Sequence, residues 1–189
     1  MLIQLQEHNK TLLIEGLVST ERVEFGRLML MFSKYAPNST IQIMDGEKVL
    51  GYDHVLFAVI NAMHAYDEKR MICENLALEI LVYASVQRQI KNSVEILGIK
   101  EDTRQLVLVA ISEVDKELDK LKESIILTQG LRVDDSFLNS WNPEKLDSLK
   151  RTFKISDAEV ESIRIGSSSN REILEKLVIE KMALLAVTV

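Results

Sequence analysis

The sequence is poor in the residues on which several common kinds of site depend. Its 189 residues include a single cysteine, Cys73, which can form neither an internal disulfide nor a cysteine-based metal cluster. Only seven glycines are present, and neither GxGxxG nor GxxxxGK[ST] occurs, so the chain has no evident phosphate-binding loop. We therefore interpret Cys73 as a buried, unreactive residue and predict no nucleotide site and no cofactor.

Long apolar runs are also missing. The longest, such as residues 106–111 and 182–187, are far shorter than the roughly 20 residues that a helix needs to cross a bilayer. The first six residues lack the cationic region and apolar stretch that are typical of a secretory signal. We expect a cytoplasmic protein that makes no contact with a membrane.

Positive charge is in deficit. The formal net charge is -6 at pH 7, and the chain is 47% hydrophobic and 28% charged, as is ordinary for a globular protein. An acidic protein is a poor candidate for coating nucleic acid non-specifically, because that mode relies on many cationic contacts to phosphate. Any RNA site is therefore expected to be small and local.

Motifs for catalysis are absent from the sequence as well. His8, His54 and His64 do not have the spacing of metal ligands, and we interpret them as surface or packing residues. No GxSxG pattern occurs, and the adjacent carboxylates Asp134 and Asp135 lie in a polar stretch without signs of burial. We predict no metal, no catalytic residues and no enzymatic activity.

Hydrophobic periodicity predicts an α+β fold. The predicted strands are 11–18, 40–44, 106–111 and 182–187. The run 106–111 has no polar interruption, which is typical of a strand covered on both faces, so we predict that it is central. The fold is expected to be a single domain, residues 1–189, in which several helices cover a mixed β-sheet.

Capping residues and apolar stripes predict the helices. The predicted starts are Ser19 or Thr20, Asp53, Ser112, Asn142-Pro143, Ser156 with Glu159, and Asn170. Apolar residues between 76 and 97 fit either one bent helix or two short ones, ending near Gly98. Residues 166–169 are rich in serine and predict a flexible loop.

One segment, residues 78–90, combines a long apolar stretch with polar side chains near its end. These polar residues are Ser85, Gln87, Arg88 and Gln89, with Tyr83 before them and Lys91 after them. Hydroxyl, amide and guanidinium donors beside an apolar wall suit an unstacked nucleotide, whose base stacks while its edges and phosphate are hydrogen-bonded. Spacing alone favours a simpler interpretation, a helix end where Arg88 pairs with a carboxylate and the glutamines bond to carbonyls.

Three stretches resemble a known family. They are Gly-Tyr-Asp-His-Val-Leu at 51–56, Leu-Glu-Ile-Leu at 78–81 with Ser-Val-Gln-Arg-Gln-Ile at 85–90, and Glu-Lys-Leu-Val-Ile-Glu-Lys-Met-Ala-Leu-Leu at 175–185. On these residues the chain resembles the small kinase-binding subunit of the KEOPS complex, the PRPK-binding-protein-like family. Residues 139–169 match that family poorly. The family commonly has glycine where this chain has Val86, and because a β-branched residue does not readily adopt positive φ, we expect a different local backbone there.

The resemblance implies a function without an active site. Similar proteins bind the atypical kinase/ATPase subunit of KEOPS and the tRNA 3′ CCA tail, in a complex whose transferase subunit installs threonylcarbamoyl on adenosine (t6A). By this resemblance the tRNA-end site comprises Ser85, Gln87, Arg88, Gln89 and Ile90, with Lys91 and Asn92 as neighbours. The helices at 54–67 and 170–181 are the candidate kinase interface. The alternative is a tether or regulator of the kinase that makes no contact with RNA.

Overall fold

The computed structural model describes residues 1–164 and 169–187. The strands are β1 (Leu2–Leu5), β2 (Lys10–Ser19), β3 (Thr40–Asp45), β4 (Gln105–Ser112) and β5 (Leu131–Val133). The helices are α1 (Phe25–Tyr35), α2 (Tyr52–Asp67), α3 (Leu76–Ser85), α4 (Ile90–Leu97), α5 (Asp115–Leu127), α6 (Ser136–Asn139), α7 (Pro143–Thr152), α8 (Asp157–Ser162) and α9 (Asn170–Val187). Of these described helices, none has both the length and the apolar content that crossing a bilayer requires.

The chain forms two compact units. The first, Met1–Glu47 with Gly98–Phe137, contains the sheet together with α1 and α5. The second, Lys48–Leu97 with Leu138–Val189, contains α2 to α4 and α7 to α9. The predicted α+β class is confirmed, while a single domain over residues 1–189 stays a prediction.

The sheet of the first unit is organised around β4. This strand lies between β2 and β3, which confirms the prediction that 106–111 is central, and β1 and β5 both pair with β2. Every pairing among the described strands is antiparallel, so the sheet is antiparallel rather than mixed. Strands β2 and β3, which α1 connects, do not pair with one another as a parallel pair. Each pairs with β4, which lies between them and runs antiparallel to both.

One face of the sheet packs against α1 and α5. Every second strand residue points to this face, and helix residues three or four positions apart point toward it. Together they form one core. Its members include Leu13, Leu17, Ile41, Ile43, Leu106, Leu108 and Ala110 from the strands, and Phe32, Leu118, Leu121 and Ile125 from the helices. Each fully buried aliphatic side chain of this kind stabilises the fold by about 1.5–3 kcal/mol.

Several predicted helix starts are wrong by a few residues. Ser19 still belongs to β2 and its hydroxyl donates to the Glu21 carbonyl, so α1 begins only at Phe25. Ser112 accepts the Val114 amide in a local turn, so α5 begins only at Asp115, after the exposed Val114. Serine hydroxyls bond to nearby backbone outside helices as readily as they cap them, which explains both errors.

Two further starts are shifted by one or two positions. Gly51 precedes the first residue of α2, so Asp53 lies in the first turn and does not cap the helix. The amide of Glu172 donates to the hydroxyl of Ser169, which therefore caps α9 in place of the predicted Asn170. The predicted starts at Asn142-Pro143 and at Ser156 with Glu159 are confirmed. The predicted loop residues 166–168 lie outside the described residues.

The predicted closing strand, residues 182–187, is wrong. This segment is the last part of α9, where Met182 and Leu185 extend the buried stripe formed by Leu174 and Val178 at helical spacing. A short apolar run does not distinguish a strand from a buried helical turn, and the stripe before it decides the outcome. The last helix therefore extends to Val187.

Candidate functional site

The segment from 76 to 97 forms two helices, the second of the two predicted alternatives. The side chain of Asn75 accepts the Ala77 amide and caps α3. One turn further on, the buried carboxylate of Glu79 accepts the amides of Ile72 and Cys73 at 3.0 and 2.7 Å. These bonds fix the chain before α3 to the helix itself, so the start of α3 is held by side chains of its own.

Cys73 is buried, as predicted. Burial, followed by the neighbouring charge of Glu79, raises the pKa of its thiol to about 12. A thiol with so high a pKa carries almost no thiolate at neutral pH. Cys73 is therefore unsuited to act as a nucleophile.

Helix α3 ends in a reversal of the backbone at Val86. The amides of Val86 and Gln87 donate to the carbonyls of Tyr83 and Val82 at 2.9 and 3.2 Å, the paired bonds of a Schellman motif. Val86 adopts φ 54° and ψ 41°, the left-handed conformation usual for glycine in this motif. The expectation that a β-branched residue would change the local backbone is therefore wrong: Val86 keeps the turn and bears the strain, because the two bonds require it.

A buried histidine forms a hydrogen bond with the same helix end. His54, in the first turn of α2, accepts the Leu50 amide on Nδ1 at 3.0 Å, so its proton lies on Nε2. Nε2 donates to the Ala84 carbonyl, 2.8 Å away, and satisfies one of the carbonyls at the end of α3. The imidazole also meets the ring of Phe153 edge-on, with centroids 5.4 Å apart.

Burial keeps this histidine neutral. Desolvation lowers the pKa of His54 to about 4, opposed in part by its hydrogen bond to Ala84. Only the neutral ring has one donor and one acceptor, which is what the Leu50 amide and the Ala84 carbonyl require. The sequence marked His54 only as a surface or packing residue, and no pattern pointed to its contact with Phe153.

The predicted tRNA-end residues divide into buried and exposed members. Ser85 is only 1% exposed, and its hydroxyl donates to the Val82 carbonyl at 3.0 Å, so its side chain lies beneath the surface. Gln87 is half-buried, and its amide donates to the Ser85 carbonyl at 3.4 Å. Arg88, Gln89, Ile90 and Lys91 are exposed and Asn92 half-buried. Residues 87 to 92 are thus all exposed or half-buried, whereas Ser85 is not.

The exposed part of this segment leads directly into α4. The side-chain amide of Asn92 donates to that of Gln89 at 3.3 Å across the first turn. Ile90 is 39% exposed, and Val94, also exposed, follows it one turn later on α4. Two aliphatic side chains at this spacing share one helix face. The surface therefore combines hydrogen-bonding groups with a small apolar strip.

The electrostatics of the segment involve Tyr83. Burial first, and the Glu79 charge second, raise the pKa of the Tyr83 phenol, while the guanidinium groups of Arg70 and Arg88 lower it. Arg88 is therefore both exposed to solvent and within electrostatic reach of the buried end of α3. A fixed cation beside a polar loop favours an anionic ligand.

The two helices proposed as a kinase interface also present exposed apolar residues. Phe57 on α2 and Leu184 and Val187 on α9 are exposed. A cleft of about 120 Å³ lies between the C-terminal parts of these helices, with Asn61 and Val187 among its lining residues. The exposed apolar residues of α9 thus lie beyond 170–181, in the segment predicted as a strand.

Comparison with known proteins gives concordant results. A family model described as "Kinase binding protein CGI-121" matches residues 9–186. The chain is also similar to a protein of Methanocaldococcus jannaschii named "Regulatory protein Cgi121", with 33% identity over 114 residues, covering 60% of this chain and 70% of that protein.

The His54 clamp predicts a pH-dependent stability. Because the pKa of His54 is lowered to about 4 in the folded chain from 6.5, the unfolded chain binds more protons between these values. The free energy of unfolding should fall as pH decreases from 6.5 to 4, by roughly 3 kcal/mol from this residue. Urea unfolding across this range should show a shallower fall for His54→Gln. The exposed His64→Gln variant should retain the full fall, and identical slopes for all three proteins would contradict the clamp.

The strained turn makes a second prediction. Glycine adopts the left-handed conformation without a Cβ penalty, whereas alanine retains most of it. Val86→Gly should therefore be more stable than Val86→Ala by about 1 kcal/mol, measured by urea unfolding at neutral pH. Comparing these two variants removes the effect of losing the valine side chain. A Val86→Ala protein as stable as Val86→Gly would show that residue 86 is not left-handed in solution.

Proposed function

The chain belongs to the CGI-121 family of kinase-binding proteins, and on that premise we propose that it is a non-catalytic cytoplasmic adaptor of the KEOPS complex. One surface binds the atypical kinase/ATPase subunit. Another, formed by residues 87–92, binds the single-stranded 3′ CCA end of tRNA. The adaptor thereby supports t6A modification by the transferase subunit, with which it acts indirectly.

The observation that carries the RNA proposal is the exposed surface from Arg88 to Lys91 on a fixed frame. Hydrogen bonds hold both helix ends that border it. The end of α3 is held by its Schellman bonds and by His54, and the start of α4 by the turn at Gln89. A loop already held in one conformation loses little entropy on binding. Such a surface is suited to a flexible ligand such as an unpaired RNA end.

The side chains of this surface match the chemistry of a CCA end. Arg88 and Lys91 supply positive charge for phosphates, and the amides of Gln87 and Gln89 suit the edges of cytosine and adenine. Ile90 and Val94 provide an apolar strip for the face of a base. The positive end of the α4 dipole also lies at this loop and favours an anion there.

Ser85 has a different role in this proposal. Its hydroxyl is buried and bonded to Val82, so it supports the turn from below while residues 87–92 face the ligand. The tRNA-end group is therefore proposed as six exposed or half-buried residues with Ser85 as their support.

The kinase surface is proposed on α2 and α9. Phe57, Leu184 and Val187 are large apolar residues that remain exposed, the composition typical of the centre of a protein interface. The family description supports a kinase as the partner of this surface. Nothing about it requires an active site in this chain.

The RNA proposal predicts a loss of end-specific binding on charge reversal. Wild-type protein should bind intact tRNA more tightly than CCA-trimmed tRNA, and Arg88→Glu should weaken binding of intact tRNA roughly tenfold or more by reversing a phosphate-facing charge. Fluorescence anisotropy with both tRNAs measures this. The variant should lose the preference for the intact end.

Arg27→Glu is the matched control for that experiment, because Arg27 is an exposed arginine on α1 of the sheet unit. It should leave both affinities unchanged. Equal wild-type affinity for the two tRNAs, with kinase binding intact, would establish the alternative of a tether that makes no contact with RNA.

The kinase proposal predicts a separate effect. Leu184, 55% exposed, should tolerate Leu184→Glu without unfolding, but the introduced charge should weaken kinase binding by tenfold or more, as expected at an interface centre where truncation costs about 2 kcal/mol. Calorimetry with the purified kinase subunit provides the measurement. The control is Leu127→Glu on α5, where leucine is 80% exposed and the change should have no effect. Comparable binding by both variants would exclude α9 from the interface.

A further inference from the structure

A basic turn lies at the end of α7. Residues 145–154 contain four Lys or Arg residues and one aspartate, in a protein whose net charge is -6. Lys150 is paired with Asp157. Arg151 and Lys154 are exposed, and neither side chain has a hydrogen bond or ion pair with a residue that the structure describes.

The backbone fixes this turn in the same way as the end of α3. The amides of Lys154 and Ile155 donate to the carbonyls of Arg151 and Lys150 at 3.2 and 2.9 Å, and Lys154 takes a positive φ of 51°. This is a second Schellman motif. Arg151 and Lys154 therefore extend from an ordered backbone.

The two helix ends meet across His54. Its Nε2 bonds to Ala84 at the end of α3, and its ring lies edge-on against Phe153, the residue immediately before Lys154 at the other helix end. A single imidazole therefore separates the turn at Val86 from the basic turn. Both helix ends contact this imidazole and belong to the same compact unit.

We propose that Arg151 and Lys154 form a second RNA contact that binds backbone phosphates of the nucleotides preceding the terminal CCA. This inference rests on the proposed function of residues 87–92. Arginine and lysine at a fixed turn bind phosphate without reading base identity, so this contact adds affinity and orientation, while the end itself is recognised at the loop. Lys48, whose ammonium lies 3.4 Å from the Ser148 hydroxyl on α7, adds a further positive charge to the same side.

A purely structural role for these cations is a real competitor, since positive charge in the last turn of a helix also stabilises it through the dipole. The two roles affect different measurable quantities. A helix-stabilising charge changes the unfolding free energy, whereas a phosphate contact changes the salt dependence of RNA binding.

The test is the affinity for intact and CCA-trimmed tRNA, measured by anisotropy at a series of salt concentrations. Arg151→Glu/Lys154→Glu should make the negative slope of log affinity against log salt shallower by about 1.4, close to 0.7 for each of two lost phosphate contacts. The ratio of affinities for intact and trimmed tRNA should be preserved. A control with two exposed lysines of the sheet unit reversed, Lys34→Glu/Lys116→Glu, should retain the wild-type slope.

The possible results separate this inference from the proposed function. If the double variant has the wild-type salt slope and the wild-type protein still prefers the intact end, the α7 contact alone is overturned. A wild-type protein with no preference for the intact end would remove the proposed function, and this inference with it. Weaker kinase binding by the α7 variant with an unchanged RNA slope would assign the turn to an acidic protein surface and overturn the phosphate contact.

Discussion

A neutral imidazole buried between a backbone amide and a backbone carbonyl is the constraint on which the site depends. His54 joins Leu50, before α2, to Ala84, at the end of α3, and protonation of Nδ1 would break the bond that it accepts from the Leu50 amide. The carbonyls at a helix end need partners, and a buried one without a partner costs about 1–3 kcal/mol. Because His54 satisfies the Ala84 carbonyl, the chain can reverse direction at Val86, and the residues that follow are exposed.

Under the proposed function, this arrangement would let an acidic protein present a local RNA surface. The surface needs few charges because it is ordered in advance: Arg88 and Lys91 lie on a turn whose bonds are already made. The same imidazole contacts Phe153, so it also packs against the turn at the end of α7. The exposed apolar residues of α2 and α9 belong to the same unit and differ chemically from this surface, which is compatible with the proposed adaptor of two partners.

The sequence predicted the parts of the fold where periodicity and burial agree. Alternation along 40–44 and the uninterrupted run at 106–111 identified β3 and β4, and Asn142-Pro143 marked α7 correctly. It failed where a local pattern has two physical outcomes. The apolar run 182–187 is compatible with strand or helix, and Ser112 is compatible with a cap or a turn, so tertiary packing decides both.

The site was predicted less completely, for physical reasons of the same kind. The resemblance proposed 85–92 as the tRNA-end group, but sequence spacing did not show that Ser85 points inward or that Val86 accepts a left-handed backbone. The supporting residue His54 lies 30 positions before Ala84, and a contact between a side chain and a distant carbonyl leaves no pattern in the sequence.

The most direct measurement is chemical cross-linking of the RNA end to the protein. Periodate-oxidised tRNA carries a dialdehyde on its terminal ribose, which forms a reducible Schiff base with a lysine that it contacts, and peptide mass spectrometry locates that lysine. We expect attachment at Lys91, with strong loss of this product for CCA-trimmed tRNA oxidised in the same way. Attachment chiefly at lysines of the sheet unit, such as Lys34 or Lys116, would contradict it.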